Sequence, residues 1–248
     1  MKKEKSCILM ILVRIQLYLV KKSMRLVVLL MGLISFTLSA QPQAILDQTA
    51  YQFWVNAPTE VQEKNPLVIF LHGRSLSGTN IERVKRYGPL RGIEKKGLQI
   101  PAYLVAPQLP SGPWNPDKVD EVVQYMIEHY AIDESRIYVT GMSLGGYGTM
   151  KYASKYANRL AAAIAICGGG ENKDACNLTS LPIKLIHGDK DFIVPLKESK
   201  SILKAIKNCN AKAPVELQVV KGGNHGSVED LYRHIDLYNW LFQHTKKE

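Results

Sequence analysis

Six short, nearly uninterrupted apolar runs constrain this chain most: residues 66–71, 102–106, 137–140, 161–166, 183–186 and 215–220. A strand with one wet face alternates apolar and polar residues. These runs do not, which suits parallel strands covered on both faces. Helical spacing fills the intervals. In residues 115–130, Val119, Val122, Val123, Met126, Ile127 and Tyr130 form one apolar stripe, behind a capping Asn115 and Pro116 at the first helical position. A closing helix shows Leu231, Ile235, Tyr238 and Leu241. Residues 51–55, Tyr-Gln-Phe-Trp-Val, alternate and predict an antiparallel edge strand. The pattern predicts an α/β fold: one mostly parallel, doubly wound sheet with helices on both faces, over a single domain at 41–248. No insertion is long enough for a large lid domain.

The run at 137–140 leads into Gly141-Met142-Ser143-Leu144-Gly145-Gly146, and a helical pattern with Met150, Ala153 and Ala157 on one face follows. G-x-S-x-G between strand and helix is the sequence form of a sharp turn that exposes a serine at its tip. Such a serine is pushed toward positive φ, a strained backbone for a residue with a side chain. Bulk two residues to either side blocks the turn, and Gly141 and Gly145 remove it. The helix N-terminus points free N–H groups at the same place, which favours an anion. A serine hydroxyl is a weak nucleophile until a base takes its proton and a third group orients the base. Ser143 is thus a candidate nucleophile, although the pentapeptide alone equally fits a plain glycine turn.

Downstream loops supply the partners. His187-Gly188-Asp189-Lys190-Asp191 follows one apolar run and leads to Val194-Pro195. Asp191 is the candidate acid and Asp189 the fallback; the alternative is that both merely cap the helix starting near Pro195. Gly222-Gly223-Asn224-His225-Gly226 follows the last run, and His225 there can swing toward Ser143. Among the other histidines, His129, His234 and His244 fall in helical stretches. His72 and His187 sit at strand ends beside glycine, where they are expected to hold loops. Ser143, Asp191 and His225 come in the order Ser, Asp, His, each just past a strand, with His225 expected between the other two. Upstream, residues 66–71 end in His72-Gly73-Arg74. A backbone N–H from this loop and that of Leu144 are candidate oxyanion donors, each worth about 3–4 kcal/mol in the transition state.

These features, with Ala106-Pro107-Gln108 and nearby Trp114, run through about residues 50–245. In them the chain resembles the α/β-hydrolases of the carboxylesterase type, close to the phospholipase/carboxylesterase, feruloyl esterase and polyhydroxybutyrate-depolymerase-like groups. The resemblance implies the α/β-hydrolase fold. It also implies Asp191, the second aspartate of H-G-D-x-D-x-x-V-P, as the acid, and Arg74, after His-Gly, as an oxyanion donor. Many relatives have a small or apolar residue at that place. Arg74 alters the pocket rim, so substrate identity does not carry over. Trp114, Arg74 and Gln108 are the candidate substrate-binding residues. Trp114 either stacks on an aromatic acyl group or sugar ring or pins its own loop. The Arg74 side chain either meets a carboxylate or sugar hydroxyl or is a solvated charge.

The reaction so implied is hydrolysis of a carboxylic ester, small or linked to a polysaccharide, through an acyl-enzyme and without cofactor or metal. Peptidase and thioesterase are rivals with the same triad. A non-catalytic binding protein on this fold is a rival of another class; it is expected to have lost a triad member, and none is missing.

The formal net charge of +10 is concentrated at the N-terminus. Residues 1–40 hold seven of the 32 basic and one of the 22 acidic residues, leaving 25 against 21. The remainder has no basic block interleaved with aromatics, so a nucleic-acid partner is not expected. Residues 1–40 read as a targeting segment. Met24-Arg25, the apolar stretch 26–38 and Ser39-Ala40 before Gln41 resemble a signal peptide. A second apolar stretch, 7–20, is broken by Arg14 and Gln16 and is too short for a confident transmembrane helix. The expected start is Met24, with one long signal or an uncleaved anchor as the alternative. The expected location is periplasmic or secreted, without stable membrane anchoring after cleavage. Cys7 then leaves with the leader. Cys167 and Cys176 are a candidate bridge in an oxidising compartment; equally, Cys167 ends an apolar run and fits as a small buried residue.

Overall fold

The computed structural model describes Gln16 and residues 41–246. Residues 41–246 belong to one compact unit. Apart from Gln16, residues 1–40, expected to be a targeting segment, lie outside the described residues, and with them the expected start at Met24 and Cys7. Among the described residues no helix is long and apolar enough to cross a membrane.

The apolar runs form one eight-stranded sheet in the order β1-β2-β4-β3-β5-β6-β7-β8. The strands are β1 Gln43–Ile45, β2 Phe53–Asn56, β3 Asn65–Leu71, β4 Tyr103–Pro107, β5 Ile132–Met142, β6 Ala162–Ile166, β7 Ile183–Gly188 and β8 Val215–Val220. β1 and β2 are antiparallel, and β4, β3 and β5 to β8 run parallel to one another. The α/β-hydrolase architecture expected from the sequence is present. The alternating stretch at 51–55 does pair antiparallel, but it is not the edge: β1 covers its outer side.

Neighbouring side chains on each strand leave by opposite faces. Leu67, Ile69 and Leu71 of β3 join one buried cluster, and Val68 and Phe70 the other. The first cluster is closed by α2 (Pro116–His129), α3 (Leu144–Lys155) and α4 (Lys197–Cys209), through Val119, Val122, Val123, Met126, Met150 and Ile202 among others. The second is closed by α1 (Gly88–Lys96), the 3-10 segment Ser227–Arg233 and α5 (Ile235–Phe242). Asn115 caps α2 as read from sequence, accepting from the Asp117 and Lys118 N–H groups. The closing helix is shorter than its apolar spacing suggested. Leu231 lies in the 3-10 segment, His234 just precedes α5 and His244 follows it.

After β3 the chain moves outward to β4, then returns to the other side of β3 as β5. The order reverses there, and Leu71 pairs with Gly141 at the carboxyl ends of the two strands. In an open parallel sheet, such a reversal leaves a crevice where ligands bind.

The cysteine pairing differs from the candidate bridge. Cys176 joins Cys209, 33 residues away, and Cys167 is free and buried. Cys167 ends β6 inside the second cluster, while Cys176 sits in a surface 3-10 segment, Asn172–Leu178, that packs on the C-terminal end of α4. Closing a loop of this length restricts the unfolded chain. Cys176→Ser with Cys209→Ser is expected to cost about 2–4 kcal/mol. Urea unfolding checks this: the midpoint falls in the double variant, and reductant lowers it in the parent alone.

Candidate active site

Ser143 stands between the end of β5 and the start of α3 with φ 58° and ψ −121°. The two flanking glycines of the motif make that turn possible. A Cβ on Gly145 overlaps the Leu71 carbonyl, and one on Gly141 comes within 2.7 Å of the same oxygen. The helix therefore begins in direct backbone contact with β3. Ser143 N–H donates to the Ile166 carbonyl at 2.9 Å, and its own carbonyl accepts from Tyr147 N–H at 3.1 Å. The strained residue is held from both sides.

Asp191 is buried, with its carboxylate fully satisfied. Oδ1 accepts from Ile193 and Val194 N–H, both at 2.9 Å, and Oδ2 lies 2.7 Å from His225 Nδ1. Burial alone raises a carboxyl group. Here the bonds from His225, Val194 N–H, the Cys167 thiol and Ile193 N–H outweigh burial and hold Asp191 below its ordinary value. Nδ1 of His225 thus donates to a carboxylate, and Nε2 is left as the basic nitrogen. Asp189 does something else: it is exposed and accepts from Gly222 N–H at 2.6 Å. That bond, with Lys190 N–H to the Gly223 carbonyl at 2.9 Å, ties the Asp191 loop to the His225 loop. Asn224 holds the latter by accepting from Gly226 and Ser227 N–H.

Ser143 and His225 line one cavity of about 400 Å³. They are not hydrogen-bonded to each other, so the His225 bridge expected from the sequence is made on the Asp191 side only. Such bonds often tighten only when substrate arrives.

Gly73 and Arg74 arrive from the end of β3. A Cβ on Gly73 lies 3.4 Å from Ser143 Cβ and 3.9 Å from its Oγ, so this loop borders Ser143 directly. Arg74 is exposed and lines the same cavity. His72 anchors the loop as expected. Its Nδ1 is 2.8 Å from the Gly73 carbonyl, and its Nε2 accepts from Leu109 N–H at 3.0 Å.

Two substrate-binding candidates occupy other places. Trp114 is 2 % exposed, donates from its indole N–H to the His72 carbonyl at 3.1 Å and packs on Gly148 of α3. It pins the loop and has no free face for stacking. Gln108 is equally buried, and its amide donates to the carbonyls of Leu76 and Gly78. It closes the loop after Arg74 from beneath. Neither lines the Ser143 cavity. Among the residues that do line it, sequence reasoning missed Phe70, Leu76, Tyr87, Met142, Glu229 and Tyr232. Phe70 was legible only as core, and Tyr87 and Glu229 come from segments with no motif.

Residues 114–239 match the phospholipase/carboxylesterase family model, which is half of the chain. The chain belongs to the phospholipase/carboxylesterase family. Among curated relatives, it is 25% identical over 158 residues to the bifunctional acetylxylan esterase/xylanase XynS20E of Neocallimastix patriciarum, covering 60% of this chain and 23% of that protein. It is 23% identical to the probable feruloyl esterase C of Aspergillus niger, over 71% of this chain and 67% of that one. A crystal structure of a thermostable esterase superposes with a TM-score of 0.72 at 26% identity, covering 83% of this chain and 63% of that chain. The chain thus spans about a quarter of the first relative and under two thirds of the solved esterase.

For this family member, His72 makes the loop after β3 sensitive to acid. Burial pushes its imidazole down to about 4 from an ordinary 6.5. It is neutral in the fold and protonated when unfolded between those values. Its contribution is complete above pH 6.5 and is lost as pH falls toward 4, by about 3 kcal/mol in all. His72→Gln is expected to be less stable at pH 8 and to lack that share of the decline. The check is the difference between the two proteins' unfolding free energies from pH 8 to 4: it narrows with acid, and a constant difference contradicts the assignment.

Proposed function

We propose that this protein is an exported serine esterase that cleaves carboxylic esters through an acyl-enzyme on Ser143. The observation that carries this is the 2.7 Å Asp191–His225 pair opening onto the cavity where Ser143 is held at positive φ. Ser143 Oγ attacks the ester carbonyl while His225 Nε2 takes its proton. Arg74 and Leu144 N–H groups receive the oxyanion, the second favoured by its place at the first residue of α3. The tetrahedral adduct collapses, and the proton on Nε2 goes to the departing alcohol. Water then repeats the sequence, with its proton taken by His225, and releases the acid. Asp191 stays ionised throughout and fixes the imidazole tautomer.

The cavity supports an acyl group with an apolar body. Phe70, Leu76, Tyr87, Met142 and Tyr232 supply its wall, and about 400 Å³ suits a small organic group. Glu229 is 9 % exposed, and its carboxylate is spent on Gly88 N–H and the Arg233 guanidinium, which fastens this wall. The names of the fungal relatives, an acetylxylan esterase and a feruloyl esterase, favour an ester-decorated carbohydrate as the substrate class. Export is supported by the leader-like residues 1–40 and by the Cys176–Cys209 bridge, which persists in oxidising compartments.

Ser143→Ala is expected to lower ester hydrolysis on the order of 10⁵- to 10⁶-fold with an unchanged unfolding midpoint. Retained activity removes Ser143 from the reaction. A panel of acetylated xylan, methyl hydroxycinnamates, short and long acyl esters and peptide amides then ranks substrates by kcat/KM. The reading expects esters above amides.

A further inference from the structure

Asp191 is shared by two histidines. His225 meets it from the cavity, and His187, the residue before the end of β7, meets it from inside the fold. His187 Nε2 lies 3.4 Å from Asp191 Oδ2 and 2.8 Å from the Val194 carbonyl oxygen. Both neighbours are acceptors, so Nε2 carries a hydrogen. The other ring nitrogen, Nδ1, is 2.8 Å from Ser199 Oγ. Ser199 has one hydroxyl hydrogen, and its oxygen is also 2.9 Å from the Gly168 carbonyl. His187 and Ser199 are both 0 % exposed. If His187 is neutral, the hydroxyl hydrogen must turn to Nδ1, and the Gly168 carbonyl loses this donor. If His187 is an imidazolium, Nδ1–H donates to Ser199, Ser199 donates to Gly168, Nε2–H serves Val194, and Asp191 Oδ2 lies within ion-pair distance at 3.4 Å. Only the charged ring satisfies every group, and it places a cation against the buried carboxylate.

We propose that His187 is a positioning residue for the triad acid: held charged by Ser199 and Gly168, it keeps Asp191 ionised with Oδ2 directed at His225. The proposal rests on the reading of Asp191 and His225 as the acid and base of the site. Its parts come from three elements: Gly168 just past β6, His187 in β7 and Ser199 in the first turn of α4. The chain therefore fastens the Asp191 loop at both ends.

The other titratable groups facing this pair leave the positive charge to histidine. Cys167, from the end of β6, packs beside Asp191 and His225, their ligating atoms all within 4.8 Å. Burial pushes its thiol up to about 12. Tyr147 of α3 is also pushed up to about 12, by burial and then by Glu198 of α4. Both are neutral at pH 7, and Glu198 is the remaining anion. A charged His187 also acts on the base. A cation on the far side of Asp191 opposes a second proton on His225.

The test uses the whole protein with Ser199→Ala and His187→Gln, neither of which removes a triad side chain. Ser199→Ala takes away the acceptor that holds Nδ1–H, and His187→Gln removes the charge. Both are expected to move the acid limb of the kcat/KM–pH profile upward, His187→Gln by about one unit. A merely structural role lowers kcat or the unfolding midpoint without moving that limb, and this result overturns the proposal. Histidine-selective ¹⁵N NMR of the unmodified protein at pH 7 reads the ring directly and needs no catalysis. Two protonated nitrogens on His187 are expected; one bare nitrogen overturns the proposal even if both variants fail to fold. Absent ester hydrolysis with a doubly protonated His187 removes the catalytic reading and leaves the charge assignment standing.

Discussion

The close approach of α3 to β3 and β5 is the constraint on which the rest of this molecule depends. The helix begins so near the sheet that no side chain fits at Gly145, against the Leu71 carbonyl, or at Gly141. That contact bends the chain at Ser143 into positive φ and turns its side chain away from the packed backbone. It also brings the end of β3 beside the end of β5, so the loop from β3 delivers Gly73 against the same serine. Ser143 and the loop after β3 are thus placed by one packing event at the point where the strand order reverses.

Asp191 and His225 depend on a second set of backbone ties. Asp189 accepts from Gly222, Lys190 donates to Gly223, and Gly188 leaves room for the Gly223 carbonyl. The loops after β7 and β8 are therefore tied to each other, and the 2.7 Å bond between Asp191 and His225 follows from their docking. The carboxylate is kept ionised by four donors, in spite of its burial. His187 adds a fifth contact from the core side. Beyond it, α4 carries Ser199 near one end and Cys209, bridged to Cys176, at the other.

Much of this was legible in the sequence because it rests on local rules. Continuous apolar runs located the parallel strands, and G-x-S-x-G located the turn at Ser143. The order of the loops located Asp191 and His225. What was not legible depends on tertiary neighbours. Trp114 and Gln108 look like loop residues free to meet a substrate, and only the fold shows them spent on the carbonyls of His72, Leu76 and Gly78. The polar start of β5, Asp133-Glu134-Ser135, hid a strand reaching back to Ile132. The Cys176–Cys209 bridge joins residues brought together by a 3-10 segment with no apolar period. The cavity wall needed the same information, since Tyr87 and Glu229 lie 142 positions apart in the chain and meet only once α1 and the Ser227–Arg233 segment cover one face of the sheet.

In the proposed reaction a strained serine, a carboxylate-bound histidine and two backbone donors act on a single ester carbonyl. A fluorophosphonate probe tests it most directly, because its phosphorus is attacked only by an activated serine and mimics the tetrahedral adduct. Intact-mass measurement with peptide mapping should find one adduct per chain, on Ser143, formed far more slowly after His225→Ala. No adduct, an adduct on another serine, or labelling of Ser143 at an undiminished rate without His225 would contradict the claim.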